Sequence, residues 1–327
     1  MNFSTLSLML QELPQRITTQ DGFFFPKQGT AESVVHDEVF MILIWVAGFF
    51  FFLINAAAVY FAFKYHKSKC PEPQPSPSHN NTLEMVWTII PTLLCVWFFY
   101  IGVDGYINRR VAPEGSYEIQ VTGQKWSWLF TYPNGAQSTE LHAPANENVR
   151  LIMDSRDVIH SVWIPEFRIK QDVVPGRYTE TWFNSTIIGE FTMKCTEYCG
   201  TDHSGMYAPV IIQEKADFDA WLAANSNPLE GLTPAEAGEK LVALRGCLAC
   251  HSFDGSPLIG PSLKGVFGSE RQFTDGSTAI ADENYIRESL LEPNTKIVEG
   301  YAPVMSVFNH LPEEEISALI AYLKTVK

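Results

Sequence analysis

The stretch Cys195-Thr196-Glu197-Tyr198-Cys199-Gly200-Thr201-Asp202-His203-Ser204-Gly205-Met206 gathers two thiols, an imidazole and a thioether on one short loop. His160, upstream, is a candidate fifth ligand. Soft thiolate and thioether ligands with imidazole select copper over the hard cations. Two cysteines four positions apart can turn both sulfurs inward and bridge a pair of metal ions. His160 and His203 would then complete one copper each, with Met206 and the carbonyl of Glu197 as weak axial ligands. Such a set describes a binuclear, mixed-valence copper centre that passes single electrons. Two other readings stay open. Cys195 and Cys199 could form a disulfide outside the cell, or the loop could hold zinc, although a tetrahedral Cys/His zinc site has no use for Met206.

A loop of this kind needs a rigid framework, and the flanking sequence supplies one. From Ser116 onward short β-type runs alternate with turn signals. The candidate strands are Tyr117–Thr122, Trp126–Tyr132, Asn148–Asp154, Ser161–Ile164, Tyr178–Phe183, Glu190–Lys194 and the run resuming at Pro209. Pro133-Asn134-Gly135, Pro165 and Pro175-Gly176 separate them, which predicts an antiparallel sandwich or barrel. Ligands on loops of a rigid sandwich need not rearrange between redox states.

Further towards the N-terminus, Val39 to Phe63 contains no charged residue and is long enough to cross a bilayer as a helix. A second uncharged run, Met85 to Val103, lies between Glu84 and Asp104. The turn between them carries Lys64, Lys67 and Lys69 and is rich in proline at Pro71, Pro73, Pro75 and Pro77. Lysine and arginine accumulate on cytoplasmic loops, so the turn is expected inside and the long C-terminal part exported. Arg109 and Arg110 pull weakly the other way. Glu84 reads either as an interfacial cap or as a proton-handling group. The segment 1–37, with Phe23-Phe24-Phe25-Pro26, lacks a basic n-region and reads as a lead-in outside the membrane.

Towards the C-terminus, Cys247-Leu248-Ala249-Cys250-His251 is a c-type haem attachment signature. The thiols add across the haem vinyl groups and His251 becomes the proximal ligand; a redox dithiol is the alternative. Met305 is the sole methionine after His251, and Met/His ligation raises the potential. His310 is the other candidate axial ligand. Thr233-Pro234-Ala235-Glu236 opens a helix, and Leu311-Pro312-Glu313 opens another with the apolar stripe Ile316, Leu319, Ile320 and Leu323. These features predict an all-α haem domain. From Asp217 onward sixteen acids face eight bases, a surface that would steer a basic donor or simply keep the domain soluble. The whole chain of 327 residues has a formal net charge of -14, which argues against nucleic acid as a partner. Four of its six cysteines lie in the two cofactor motifs, so the pattern is not a disulfide framework.

Asp157-Val158-Ile159-His160-Ser161-Val162-Trp163-Ile164-Pro165-Glu166-Phe167, Lys170-Gln171-Asp172, Pro175-Gly176-Arg177, the 195–206 loop and Glu84-Met85-Val86-Trp87-Thr88-Ile89-Ile90-Pro91 together resemble subunit II of haem-copper cytochrome c oxidases. With the fused haem domain the chain is similar to the caa-type enzymes. The resemblance implies a cupredoxin domain whose CuA coppers are bound by His160, Cys195, Glu197 through its carbonyl, Cys199, His203 and Met206. It implies a magnesium ion near Glu197 at the boundary with subunit I, electron uptake through Trp126, and a proton pathway opening at Glu84. It further implies covalent haem c on Cys247 and Cys250, with His251 and Met305 as axial ligands. Ile259-Gly260-Pro261 resembles the loop whose proline carbonyl orients the proximal histidine. Lys125, Gln124 and Ser306 depart from residues common in the family.

The resemblance also implies a role. Electrons would pass from cytochrome c or another periplasmic donor to haem c, to CuA and to subunit I, where oxygen is reduced to water with proton translocation. Subunits I and III would be partners. The chain would be multi-pass in a bacterial inner (cell) membrane, with both cofactor domains periplasmic. A copper-bearing subunit of a nitric oxide reductase and a membrane-anchored electron relay without an enzyme remain the alternatives. The expected segments are a lead-in over 1–37, a transmembrane hairpin over 38–110, a copper domain over 111–215, a linker over 216–231 and a cytochrome c domain over 232–327.

Overall fold

A computed structural model describes residues 17–18, 20–72, 75 and 77–327. The early part of the lead-in and Pro73 of the proline-rich turn lie outside the described residues. The chain divides into two compact units, Met1–Val111 and Ala112–Lys327.

The first unit is built on helices α1 (Ala31–Lys64) and α2 (Asn81–Arg110). Helix α1 starts earlier than the apolar run because Thr30 and Ser33 form a capping box. Thr30 Oγ1 accepts the Ser33 N–H at 3.1 Å, and Ser33 Oγ accepts the Thr30 N–H at 3.4 Å. At about 1.5 Å per residue, α1 is about 50 Å long, more than a hydrocarbon core requires. Asn80 caps α2 by accepting the Leu83 N–H at 3.1 Å. Both helices are long and apolar enough to span a membrane, and their apolar side chains, Phe52 and Phe99 among them, stand exposed. At the opposite end from the turn, the Arg109 guanidinium donates to the carbonyl of Glu32 at 2.7 Å.

The second unit opens with a β-sandwich. One sheet has the order β3-β2-β1-β5-β8 and the other β4-β10-β9-β6-β7. The strands are β1 (Tyr117–Gln124), β2 (Ser127–Thr131), β3 (Gln137–Ser138), β4 (Leu141–Pro144), β5 (Val149–Ser155), β6 (His160–Ile164), β7 (Ile169–Val173), β8 (Thr179–Phe183), β9 (Gly189–Cys195) and β10 (Tyr207–Gln213). Alternation along β5 buries Val149, Leu151 and Met153 against Val162, Met193 and Val210 of the facing sheet. The expected purely antiparallel arrangement is corrected here, since β1 pairs parallel with β5 and β10 parallel with β4. Strand β4 leaves the first sheet for the second, so the chain returns to β1 running in β1's own direction.

The expected linker over 216–231 is corrected as well. Its first half belongs to helix α3 (Lys215–Ala224), which is packed on the sandwich. Phe218 is completely buried in the sandwich core, and Trp221 stacks on His142 with ring centroids 3.9 Å apart. Burying one such aromatic side chain is worth about 1.5–3 kcal/mol, enough to pin a helix that composition alone makes look like a tether.

The haem domain follows, with α4 (Pro234–Leu244), α5 (Glu283–Leu291) and α6 (Glu313–Leu323). It also holds a small hairpin of β11 (Glu270–Gln272) and β12 (Thr278–Ile280), so it is helical but not purely α. Thr233 and Glu236 cap α4 reciprocally. Helices α4 and α6 cross at Gly238, where any side chain would overlap the Ala318 carbonyl.

Candidate functional site

Strands β9 and β10 hold the two ends of the copper loop together. The Cys195 N–H donates to the Met206 carbonyl at 3.0 Å, and the Thr196 N–H donates to the Ser161 carbonyl at 3.1 Å. The loop between them is drawn inward by bonds from the His203 N–H to the Gly200 carbonyl and from the Met206 N–H to the His203 carbonyl. The thiols of Cys195 and Cys199 lie 3.7 Å apart. Cys195 Sγ is 3.9 Å from His160 Nδ1 and 3.3 Å from the Glu197 carbonyl. Cys199 Sγ is 3.5 Å from His203 Nδ1 and 3.8 Å from Met206 Sδ. Each thiol thus has its own imidazole, and the six groups named from the sequence converge on one place.

The electrostatics of the pair call for a cation. Burial raises both thiols, but hydrogen bonds from His160 and main-chain amides bring Cys195 down to about 6. Cys199 is pushed up to about 12 by burial and then by its proximity to Cys195. Two adjacent buried thiols resist a second ionisation unless positive charge sits between them. Soft donors arranged in this way suit copper.

His160 is fully buried, and its orientation is fixed. Its Nε2–H donates to Asp157 Oδ1 at 2.9 Å, which leaves the Nδ1 lone pair facing the thiols, an outer hydrogen bond of the kind that orients metal-binding histidines. Burial alone would raise the Asp157 carboxyl. Hydrogen bonds from His160, the Lys125 and Val158 amides and Ser306 outweigh it and hold the group at about 2.

Trp126 precedes β2 instead of starting it, and its buried indole lies beneath the copper loop. Gly200, at φ +121°, allows this approach, because a Cβ there would stand 2.9 Å from the indole ring. Trp128, also buried, meets the His160 ring edge-on at 5.8 Å.

In the haem domain, Cys247, Cys250, His251 and Met305 line one cavity with Ile259, Pro261 and Leu319. Its interior and mouth together span about 1150 Å³ when the space open to solvent is counted. His251 Nδ1–H donates to the Pro261 carbonyl at 2.7 Å, so its Nε2 is the nitrogen left to bind iron. His310 is not among the cavity residues. Burial raises Cys247 to about 12 and Cys250 to about 11, which suits neutral thiols awaiting thioether formation better than a reactive redox dithiol. Arg271 also lines the cavity, and its buried Nε has no hydrogen-bond partner among the described residues. An unpaired buried guanidinium nitrogen beside an apolar cavity fits a flat apolar ring bearing carboxylates, which is the chemistry of haem. Arg271 carried no signal in the sequence, since nothing in its neighbourhood marks it from other surface arginines.

The haem-bearing face packs on the copper domain. Cys250, Ile259 and Val304 lie against the sandwich core. Gly246, at φ +72°, lets the attachment loop rest on β2, where any side chain would strike Ser127. Glu84 accepts the Asn80 N–H at 3.1 Å at the start of α2, the geometry of a helix cap. The Glu197 side chain is exposed on the copper loop.

Comparison with known proteins identifies three regions. Residues 22–101 match the cytochrome c oxidase subunit II transmembrane-domain family, 136–215 its periplasmic-domain family, and 235–327 the cytochrome c family. Cytochrome c oxidase subunit 2 of Alkalihalophilus pseudofirmus is 29% identical, over 100% of this chain and 96% of its own length. The Synechocystis protein of the same description is 30% identical, over 63% of this chain and 77% of its own. Among solved structures, the periplasmic domain of cytochrome oxidase subunit II of Bradyrhizobium japonicum is 29% identical over 36% of this chain and 99% of its own, with a TM-score of 0.35.

Proposed function

This chain belongs to the cytochrome c oxidase subunit II family, with a cytochrome c domain fused behind the copper domain, and from that premise we propose how its residues serve the oxidase. It is a membrane protein that works beside the haem-copper subunit I. When bound, haem c and the copper pair each take up and release one electron at a time on the way to oxygen reduction in subunit I. Cys247 and Cys250 would hold the haem covalently, and His251 and Met305 would bind its iron. His160, Cys195, the Glu197 carbonyl, Cys199, His203 and Met206 hold the coppers, and Asp157 keeps His160 in the tautomer that presents Nδ1. Trp126, whose indole lies against Gly200 of the copper loop, serves as the aromatic link.

Three finer assignments belong to the same reading. Glu197, exposed on the loop, faces subunit I and contributes to a magnesium site there. Glu84 opens the proton pathway, and the lysine-rich turn puts both cofactor domains on the periplasmic side, where a soluble donor such as cytochrome c reaches the acidic haem domain. Subunit III completes the complex.

The observation that carries the reading is the convergence of two thiols, two imidazoles and a thioether within hydrogen-bonding distances of one another, with the haem cavity packed on the same domain. Metal analysis and EPR of the purified complex test it. Two coppers per covalent haem in this chain, with the unpaired electron shared by both coppers, are expected. A single localised copper, or a Cys195–Cys199 disulfide in place of copper, would sink the copper assignment.

A further inference from the structure

Ser306 directly follows Met305 of the haem cavity and is 8% exposed. Its hydroxyl donates to Asp157 Oδ2 at 2.8 Å, across 149 positions of sequence. The other oxygen of that carboxylate accepts the His160 Nε2–H at 2.9 Å. The Lys125 N–H at 2.9 Å on Oδ2 and the Val158 N–H at 2.7 Å on Oδ1 occupy the remaining acceptor positions. The carboxylate of Asp157 is therefore saturated, with a haem-domain residue on one oxygen and His160 of β6 on the other.

The surroundings make this contact stand out. To one side the domains meet through the apolar Cys250, Ile259 and Val304. To the other they part around a cleft lined by Arg156, Asp154, Asn309 and His310. A second side-chain hydrogen bond between the two domains, among the described residues, runs from Arg245 Nη1 to Gln137 Oε1 at 3.2 Å. Ser306 is thus the polar contact made where the methionine loop comes down on the copper domain.

We propose that Ser306 and Asp157 form a positioning bridge that registers the methionine loop of the haem domain against copper ligand His160 and sets the rate of electron transfer between the two centres. The inference rests on the functional reading above. In the step concerned one electron leaves reduced haem c and arrives at the oxidised copper pair. No bond is made or broken, the Ser306 proton stays on Oγ, and the His160 proton stays on Nε2. The serine and the carboxylate act by holding the two loops in register and by completing a path of covalent and hydrogen bonds from Met305 to His160.

The test uses the intact oxidase complex carrying Ser306→Ala or Ser306→Thr. Copper, haem and both midpoint potentials are measured first, and the haem is then photoreduced and its reoxidation by copper followed. S306A should slow that transfer measurably, with both potentials and the methionine-ligated haem spectrum unchanged. S306T, which keeps the hydroxyl, should restore the rate. An unchanged rate in fully loaded S306A overturns the bridge alone. Slowing accompanied by a lost methionine ligand or a shifted haem potential overturns it too, because the serine would then act on the haem and not between the centres. Absence of copper or haem from the unmutated complex would instead be a failure of the functional reading.

Discussion

The indole Nε1–H of Trp126 donates to the carbonyl of Cys199 at 3.2 Å, so this buried aromatic is tied to a cysteine of the copper loop. Trp126→Phe keeps most of the ring and loses that bond, and should cost about 1 kcal/mol of stability. Trp126→Ala also opens a cavity and should cost about 3–5 kcal/mol. Urea unfolding followed by near-UV circular dichroism separates the two, and equal losses would mean that the hydrogen bond, not the packing, dominates.

His251 and Gly260 are equally interdependent. A methyl group at Gly260 would lie 2.6 Å from His251 Cε1. Gly260→Ala should therefore rotate the imidazole, break its bond to Pro261 and abolish the low-spin spectrum of histidine-ligated haem. A wild-type spectrum in that variant would show that the loop yields at no cost.

Helix α3 is testable through Phe218. Truncating this fully buried ring to alanine should cost about 3–5 kcal/mol and free the stretch behind the sandwich to proteolysis. If the stretch were a tether, Phe218→Ala would alter neither the melting temperature nor the protease pattern.

His310 gives the contact between the two cofactor domains an acid-sensitive edge. Burial lowers it to about 4 from an ordinary 6.5, Arg156 and Arg245 add to the effect, and Glu315 opposes them. A base with a depressed pKa binds fewer protons folded than unfolded between those two values. Stability is then fully present above about pH 6.5 and falls as pH drops towards 4. The His310 side chain is partly open to solvent, which screens the effect, so the slope should be below one proton per molecule. His310→Gln should flatten the melting temperature against pH over this window, and an unaltered slope would assign the acid sensitivity to another group.

The candidate residues of both sites and the two long helices are legible because their signals are local. Soft donors crowd one loop, a five-residue motif marks the haem, and uncharged runs reach bilayer length. Strands β4 and β7 escape because neither alternates in the usual way. Leu141, His142, Ala143 and Pro144 are all buried, and β7 sits at a sheet edge with charged Lys170 and Asp172. Helix α3 escapes because the polar Asn225, Asn227 and Pro228 after it make the whole stretch look like linker. Asp157 stands in a recognisable run, yet its bond to Ser306 exists only after two domains meet. No local pattern encodes a contact of that kind, and Arg271 is hidden for the same reason.

The crossing of α4 and α6 over Gly238 carries a consequence for biogenesis. Leu319 and Leu323 of α6 form part of the haem cavity wall, yet α6 is synthesised well after Cys247, Cys250 and His251. On a chain made from its N-terminus, the attachment residues therefore emerge before the wall that will cover them exists. The order of the sequence itself leaves a period in which an attaching enzyme can reach both thiols, and closure of the final helix ends it.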